Sequence, residues 1–67
     1  MREGSFLQNN WEANVTLDRD GDRMVIMVYD EDGHTLSETV LRVEKGDPER
    51  MEKIVWKGIC EYWKYEG

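Results

Sequence analysis

The sequence has few cysteines and histidines, the residues whose disulfides and metal sites often stabilise small domains. It contains one cysteine, Cys60, among 67 residues, so a disulfide within the chain is excluded. A single unpaired thiol favours a reducing, cytoplasmic compartment. The chain has one histidine, His34, in addition to that cysteine, so zinc would lack its usual set of ligands. Domains below roughly 70–80 residues are often stabilised by disulfides, by a metal or by self-association. Self-association is therefore kept as an alternative for this chain.

Long apolar runs and positive charge are also scarce. No stretch approaches the ~20 apolar residues that span a bilayer, and residues 1–10 lack the apolar core of a signal peptide. The net charge of −6 argues against direct binding to DNA, RNA or anionic membranes, which require basic patches. Ten of the fifteen acids fall in residues 1–46, together with five of the nine bases. The acidity therefore belongs to the predicted strands and turns rather than to the predicted helix.

Alternation of apolar and polar residues predicts three strands. The first, from Trp11 to Asp18, is apolar on one side only. The second, from Arg23 to Tyr29, is apolar on both sides, which is typical of a central strand. The third, from His34 to Val43, alternates imperfectly, and a bulge near residues 37–38 would reconcile its pattern. Asp-Gly pairs between these strands predict two tight turns, and thus a meander.

A helix follows the strands. Asp47 suits the N-cap, Pro48 the first helical position, and Glu49 the positive end of the helix dipole. The sequence therefore predicts an α+β fold, in which a three-stranded antiparallel meander packs on one C-terminal α-helix. Residues 1–10 are predicted to be a polar N-terminal arm, and residues 11–67 one βββα domain. Apolar residues at helical spacing predict the buried stripe of the helix: Met51, Ile54, Val55, Gly58, Ile59, Tyr62 and Trp63.

The order of these elements resembles, in topology, the small sheet-plus-helix DNA-binding modules at the N-termini of some tyrosine recombinases. Those modules read DNA through basic strands, whereas this sheet is acidic. In size and charge the chain is similar to small acidic phage proteins that block nucleases by imitating nucleic acid.

Two surfaces are candidates for contact with a partner. One helix covers one face of a sheet, so the second strand leaves an apolar row for the arm with Phe6 and Leu7, a second copy or a partner protein. Trp56 lies at the edge of the helical stripe beside Tyr62, in the composition that binding hot spots prefer. The exposed row is either Val25, Met27 and Tyr29 or Met24, Ile26 and Val28.

Catalytic and metal sites are not expected. Asp18, Asp20 and Asp22 have the spacing that opens an EF-hand loop, but Arg23 and Tyr29 occupy the positions that need Gly and a bidentate Glu. The acidic run around His34 has no second histidine to support a metal. No nucleophile has a base beside it, and a domain of this size has difficulty forming a cleft of ~300 Å³. We therefore expect no enzymatic activity, no cofactor and no metal.

The expected function is a small, acidic, non-enzymatic protein-binding module, such as an inhibitor or adaptor that engages a basic surface of a protein partner. Its two acidic turns would lie about 20 Å apart, at opposite ends of the sheet. One alternative is an obligate homodimer that serves as an assembly component and is sealed through the outer sheet face. A weaker third is calcium binding in the first turn. The expected contact residues are Asp18, Asp20, Asp22, Asp30, Glu31, Asp32, Val25, Met27, Tyr29 and Trp56.

Overall fold

The structure, a computed structural model, describes residues 1–8, 10–43 and 46–63. Its sheet has the order β1-β2-β3-β4, so each strand pairs with the next along the chain. The α+β class and the C-terminal helix are confirmed, but the predicted number of strands is too low by one. The elements are β1 (Arg2–Gln8), β2 (Trp11–Asp20), β3 (Arg23–Tyr29), β4 (Thr35–Arg42) and α1 (Pro48–Trp63).

The additional strand, β1, comes from the segment that was predicted to be a polar arm. It pairs antiparallel with β2, from Arg2 opposite Leu17 to Phe6 opposite Ala13. Phe6 is the large apolar residue that β1 contributes to the core, and it is 2% exposed. Gly4 and Arg2 share its face of the sheet, so β1 lacks the apolar alternation that marks β2.

Both predicted acidic turns form. Gly21 and Gly33 adopt positive φ, at 62° and 85°, which explains why glycine suits these positions. The predicted bulge in β4 also forms, one residue earlier than expected. Val28 pairs with Ser37 and Tyr29 pairs with Thr35, and these pairings leave one extra residue in β4.

The core lies between α1 and one half of the sheet. Cross-strand partners point to the same face, and the face toward α1, here called the inner face, carries the buried apolar side chains. The helix packs on β1 and β2, so the β3–β4 half of the inner face stays partly open. Ile26 and Val28 are half-buried there, and Leu41 is exposed. The buried apolar residues are Phe6, Ala13, Val15, Leu17 and Met24.

The helix begins as predicted but presents a different side to the sheet. Asp47 Oδ1 accepts a hydrogen bond from the Glu49 backbone N–H at 3.0 Å, which is the expected N-cap. Glu52, which the pattern placed on the solvated face, is buried. Four members of the predicted stripe, Met51, Ile54, Gly58 and Tyr62, are instead exposed.

Aromatic rings make the contact between α1 and the sheet. The Phe6 ring lies 6.1 Å from the ring of Trp56 and 6.3 Å from that of Trp63, between centroids. A Cβ built on Gly4 would lie 3.3 Å from Trp56 Cζ2, whereas one built on Gly58 would meet open space. Gly4 is therefore the glycine that permits the close approach of helix and sheet. Among the described residues, no helix is long and apolar enough to cross a membrane.

Candidate partner-binding surface

The face of the sheet opposite α1, here called the outer face, carries the predicted apolar row of β3. Val25, Met27 and Tyr29 are half-buried there, and no other element of the described chain lies over them. Asp18 is the partner of Val25 in β2, and Val40 is its partner in β4. The structure thus brings the apolar row and the first acidic turn onto one surface.

The first acidic turn offers two carboxylates that are free to bind a partner. Asp20 faces Arg23, with 3.3 Å between Oδ2 and Nη2, and both side chains are largely exposed. Asp18 and Asp22 are exposed and make no ion pair within residues 1–8, 10–43 and 46–63. Asp18 and Asp22 are therefore the stronger members of the predicted contact set at this end of the sheet.

The carboxylate of Asp30 accepts hydrogen bonds within the second acidic turn and so stabilises the turn itself. Its Oδ1 accepts hydrogen bonds from the backbone N–H groups of His34, at 2.8 Å, and Asp32, at 2.9 Å. The hydrogen bond from the His34 backbone, with smaller contributions from Asp32 and the His34 ring, lowers the pKa of Asp30 below its ordinary value. Glu31 and Asp32 are exposed, so their carboxylates are the ones that this turn offers to a partner.

The metal-ligating side chains of the two turns are arranged differently. In the described part of the chain, the one group of three with ligand atoms within 4.8 Å of one another is Asp30, Asp32 and His34. The hydrogen bonds that Asp30 accepts in the turn account for this proximity. Asp18 and Asp20 lie in the regular strand β2 rather than in a bent loop, so their geometry lends no support to calcium binding.

Trp56 lies on the other side of the sheet from the remaining candidates. Its indole packs against Phe6 and over Gly4, and the residue is half-buried. The sheet therefore separates Trp56 from the apolar row, and one flat partner surface cannot touch both. The exposed side of α1 carries Met51, Ile54 and Tyr62, which the helical pattern had assigned to the core.

One depression near β1 and β2 is larger than the sequence led us to expect. Its volume is about 340 Å³, and its described lining consists of Ser5, Phe6, Leu7 and Glu12. This volume lies at the lower end of the range for ligand pockets. Glu12 is the one carboxylate in that lining, so the described residues provide no acid–base pair there.

The chain was compared with protein-family models, with curated proteins and with solved structures, and none of these matches it. A function is therefore argued from the charges and the exposed surfaces of the chain itself.

Proposed function

We propose that the chain is a small acidic protein-binding module that engages a basic surface of a partner protein through the outer face of its sheet. The observation that carries the proposal is the pairing of Asp18 with Val25 across β2 and β3. It sets a carboxylate that has no ion pair among the described residues directly beside an apolar row that no described element covers. An apolar centre with a charged rim is the usual anatomy of a protein interface.

The distribution of charge supports a basic partner. The strand register places Glu3, Glu12, Asp18, Asp20 and Glu38 on the outer face, against Arg23 and Arg42 at one end. The acidic turns add Asp22, Glu31 and Asp32 at the two ends of β3. Seven residues of β3 separate these turns, which corresponds to about 20 Å. Carboxylates so placed would imitate spaced phosphates and would steer a basic partner toward the sheet.

A homodimer sealed through the outer face is a weaker candidate. Its support is that Val25, Met27 and Tyr29 remain half-buried, with no element of residues 1–8, 10–43 and 46–63 over them. Packing two such faces together, however, would bring the five strand carboxylates of each copy into the same interface. Like charges that lose water in an interface are costly unless they are paired.

Capture of proteins from an extract of the native host tests the proposal. The immobilised bait would be the wild-type chain, the double variant Asp18→Asn/Asp22→Asn or the double variant Glu31→Gln/Asp32→Asn. Glu49→Gln/Glu61→Gln is the matched control, because it removes two exposed carboxylates from α1 instead. We expect a basic protein to bind the wild type and the control, and to bind both turn variants more weakly.

Salt provides the second readout of this experiment. Binding through exposed charges should weaken steeply as ionic strength rises, because the screening length shrinks from about 10 Å at 0.1 M to about 3 Å at 1 M. A captured protein that binds equally at low and high salt, or that is lost equally with the control variant, would refute the proposal.

A further inference from the structure

β4 is an open edge of the sheet with little protection against pairing. All eight of its residues are exposed, including Leu36 at 48%, Val40 at 49% and Leu41 at 38%. Natural edge strands are commonly protected by charged side chains, especially lysine, by proline or by a bulge, which discourage pairing with another chain. β4 contains neither proline nor lysine, and its bulge lies at the end that carries Leu36. The stretch from Glu38 to Arg42 is thus a regular edge, and the two opposite charges at its ends are the protection it has.

Two opposite charges on this edge have no partner within the described chain. Glu38 and Arg42 lie on the outer face, opposite Met27 and Arg23 respectively. Neither makes an ion pair among the described residues. Four residues of extended strand separate them by about 13 Å, which is too far for them to pair with each other. Arg42 also faces a like charge directly across the strands, an arrangement that destabilises a sheet.

We propose that β4 pairs antiparallel with β4 of a second copy of this chain, with Val40 on the twofold axis. In this register Glu38 of each copy lies opposite Arg42 of the other, so two ion pairs form. Val40 then faces its own equivalent, and Thr39 faces Leu41. Each Arg42 gains a carboxylate on its open side, which offsets the repulsion from Arg23. The surface is self-complementary, as an interface with twofold symmetry requires.

Other registers of the same pairing are less favourable. Identical antiparallel strands related by a twofold axis must place one residue opposite itself. With Glu38 on the axis, two carboxylates would face each other. With Thr39 on the axis, Glu38 would face Val40 and Arg42 would face Leu36. The register on Val40 alone pairs the charges, and its five residue pairs, from Glu38 to Arg42, avoid the bulge at Leu36.

This interface runs along the edge of the sheet and shares Glu38, Val40 and Arg42 with the outer face, but the inference does not depend on the proposed function. Pairing along β4 joins two sheets side by side into one eight-stranded sheet and leaves both outer faces open to solvent. The carboxylates of both copies then lie on one extended surface. A basic partner with two contact sites would bind such a dimer more tightly than a single copy, through effective concentration.

Sedimentation equilibrium of the full chain over a range of concentrations tests the pairing. We expect a monomer–dimer equilibrium for the wild type. Glu38→Arg and Arg42→Glu should each weaken association by about tenfold or more, because each places like charges opposite one another. The double variant Glu38→Arg/Arg42→Glu should restore it. Asp18→Lys is the control for altered net charge, since it reverses a charge on the outer face away from β4, and it should leave association unchanged.

A disulfide trap gives a second measurement that does not depend on charge. Val40→Cys in a Cys60→Ala background, held in a glutathione redox buffer, should form a covalent dimer. The facing Cα atoms would be about 4.5–5.5 Å apart, within the range that a disulfide bridges. Leu36→Cys in the same background should form no covalent dimer in the same redox buffer, because its equivalents would lie about 26 Å apart.

Three outcomes would overturn the inference. One is a wild-type chain that stays monomeric at every concentration. Another is a double charge swap that associates no better than either single variant. The third is a Leu36→Cys variant that crosslinks as readily as Val40→Cys. Circular dichroism of each variant would show whether the fold is retained, and none of these results depends on capture of a basic partner.

Discussion

Arg2, near the start of the chain, reaches Glu52 in the helix, with 3.5 Å between Nε and Oε2. Glu52 is 9% exposed and is the buried polar residue of the described core. The buried Nε of Arg2 makes no hydrogen bond of good geometry, so its neighbour Glu52 supplies the compensating charge. This contact joins the first strand to the helix, and both ends of it are residues that usually face water.

Removing one partner of this pair should destabilise the fold. Arg2→Met would leave Glu52 largely buried without a counter-charge, and we expect a loss of about 1–3 kcal/mol in the free energy of unfolding. The double variant Arg2→Met/Glu52→Met should recover most of that loss, because apolar replacements of a buried pair are often tolerated. Urea denaturation of the two single variants and the double variant measures the coupling. An Arg2→Met variant as stable as the wild type would contradict this account.

Gly4, at the helix–sheet contact, and Gly58, on the exposed side of α1, should respond in opposite ways to alanine. Gly4→Ala places a methyl group 3.3 Å from Trp56 Cζ2, and we expect it to cost about 1–3 kcal/mol through overpacking. Gly58→Ala meets open space in a helix interior and should stabilise by about 1 kcal/mol. Thermal unfolding followed by circular dichroism separates the two. A stabilising Gly4→Ala would mean that the helix does not pack where we describe it.

The orientation of α1 can be tested with two lysine substitutions. Ile54 is 51% exposed, so Ile54→Lys should change the free energy of unfolding by no more than about 0.5 kcal/mol. Ile59 is half-buried, and Ile59→Lys should cost about 1–2 kcal/mol through lost burial of apolar surface. Chemical denaturation of both variants provides the comparison. A larger loss of stability for Ile54→Lys than for Ile59→Lys would mean that the helix packs on the sheet through the face that the sequence pattern predicted.

Asp30 should make the stability of the fold depend on pH in the acidic range. Its folded-state pKa is lowered, so its contribution is present above the unfolded-state pKa and is lost as the pH falls through the folded-state pKa. Asp30→Asn keeps an oxygen acceptor for the turn but does not titrate, so its melting temperature should fall less on acidification. Asp30→Ala loses the acceptor and should melt lower at every pH. NMR titration of the Asp30 carboxyl group tests the direction of the shift itself.

The sequence predicts the elements that carry strong local signals. The alternation in β2, the Asp-Gly turns and the Asp47-Pro48 start of the helix each depend on a few neighbouring residues, and all of them form. The outer apolar row of β3 also follows from its pattern, because both of its faces are apolar. What the pattern could not decide was which of those faces the helix covers.

Two features depend on contacts between distant segments, and the sequence missed both. β1 has an inner face of Arg2, Gly4 and Phe6, which does not read as an apolar stripe. Arg2 fits this face because Glu52 of α1 lies beside it, and Gly4 fits because the Trp56 indole of α1 packs over it. The helix is rotated for the same reason: burying Glu52 against Arg2 turns Ile54 outward, against the apolar periodicity. The candidate acidic surface was easier to predict, since turn carboxylates are exposed in most folds.

The one-sided position of the helix has a consequence for how the molecule opens. β2 is flanked by two strands and lies beneath α1, whereas β4 has one neighbouring strand and is not covered by any other described element. Amide hydrogens of β4 should therefore exchange with solvent through local fraying, while those of β2 exchange only when the whole domain unfolds. We therefore expect slow amide exchange in β2 and fast exchange in β4. A ligand bound to β4 should slow exchange in that strand first.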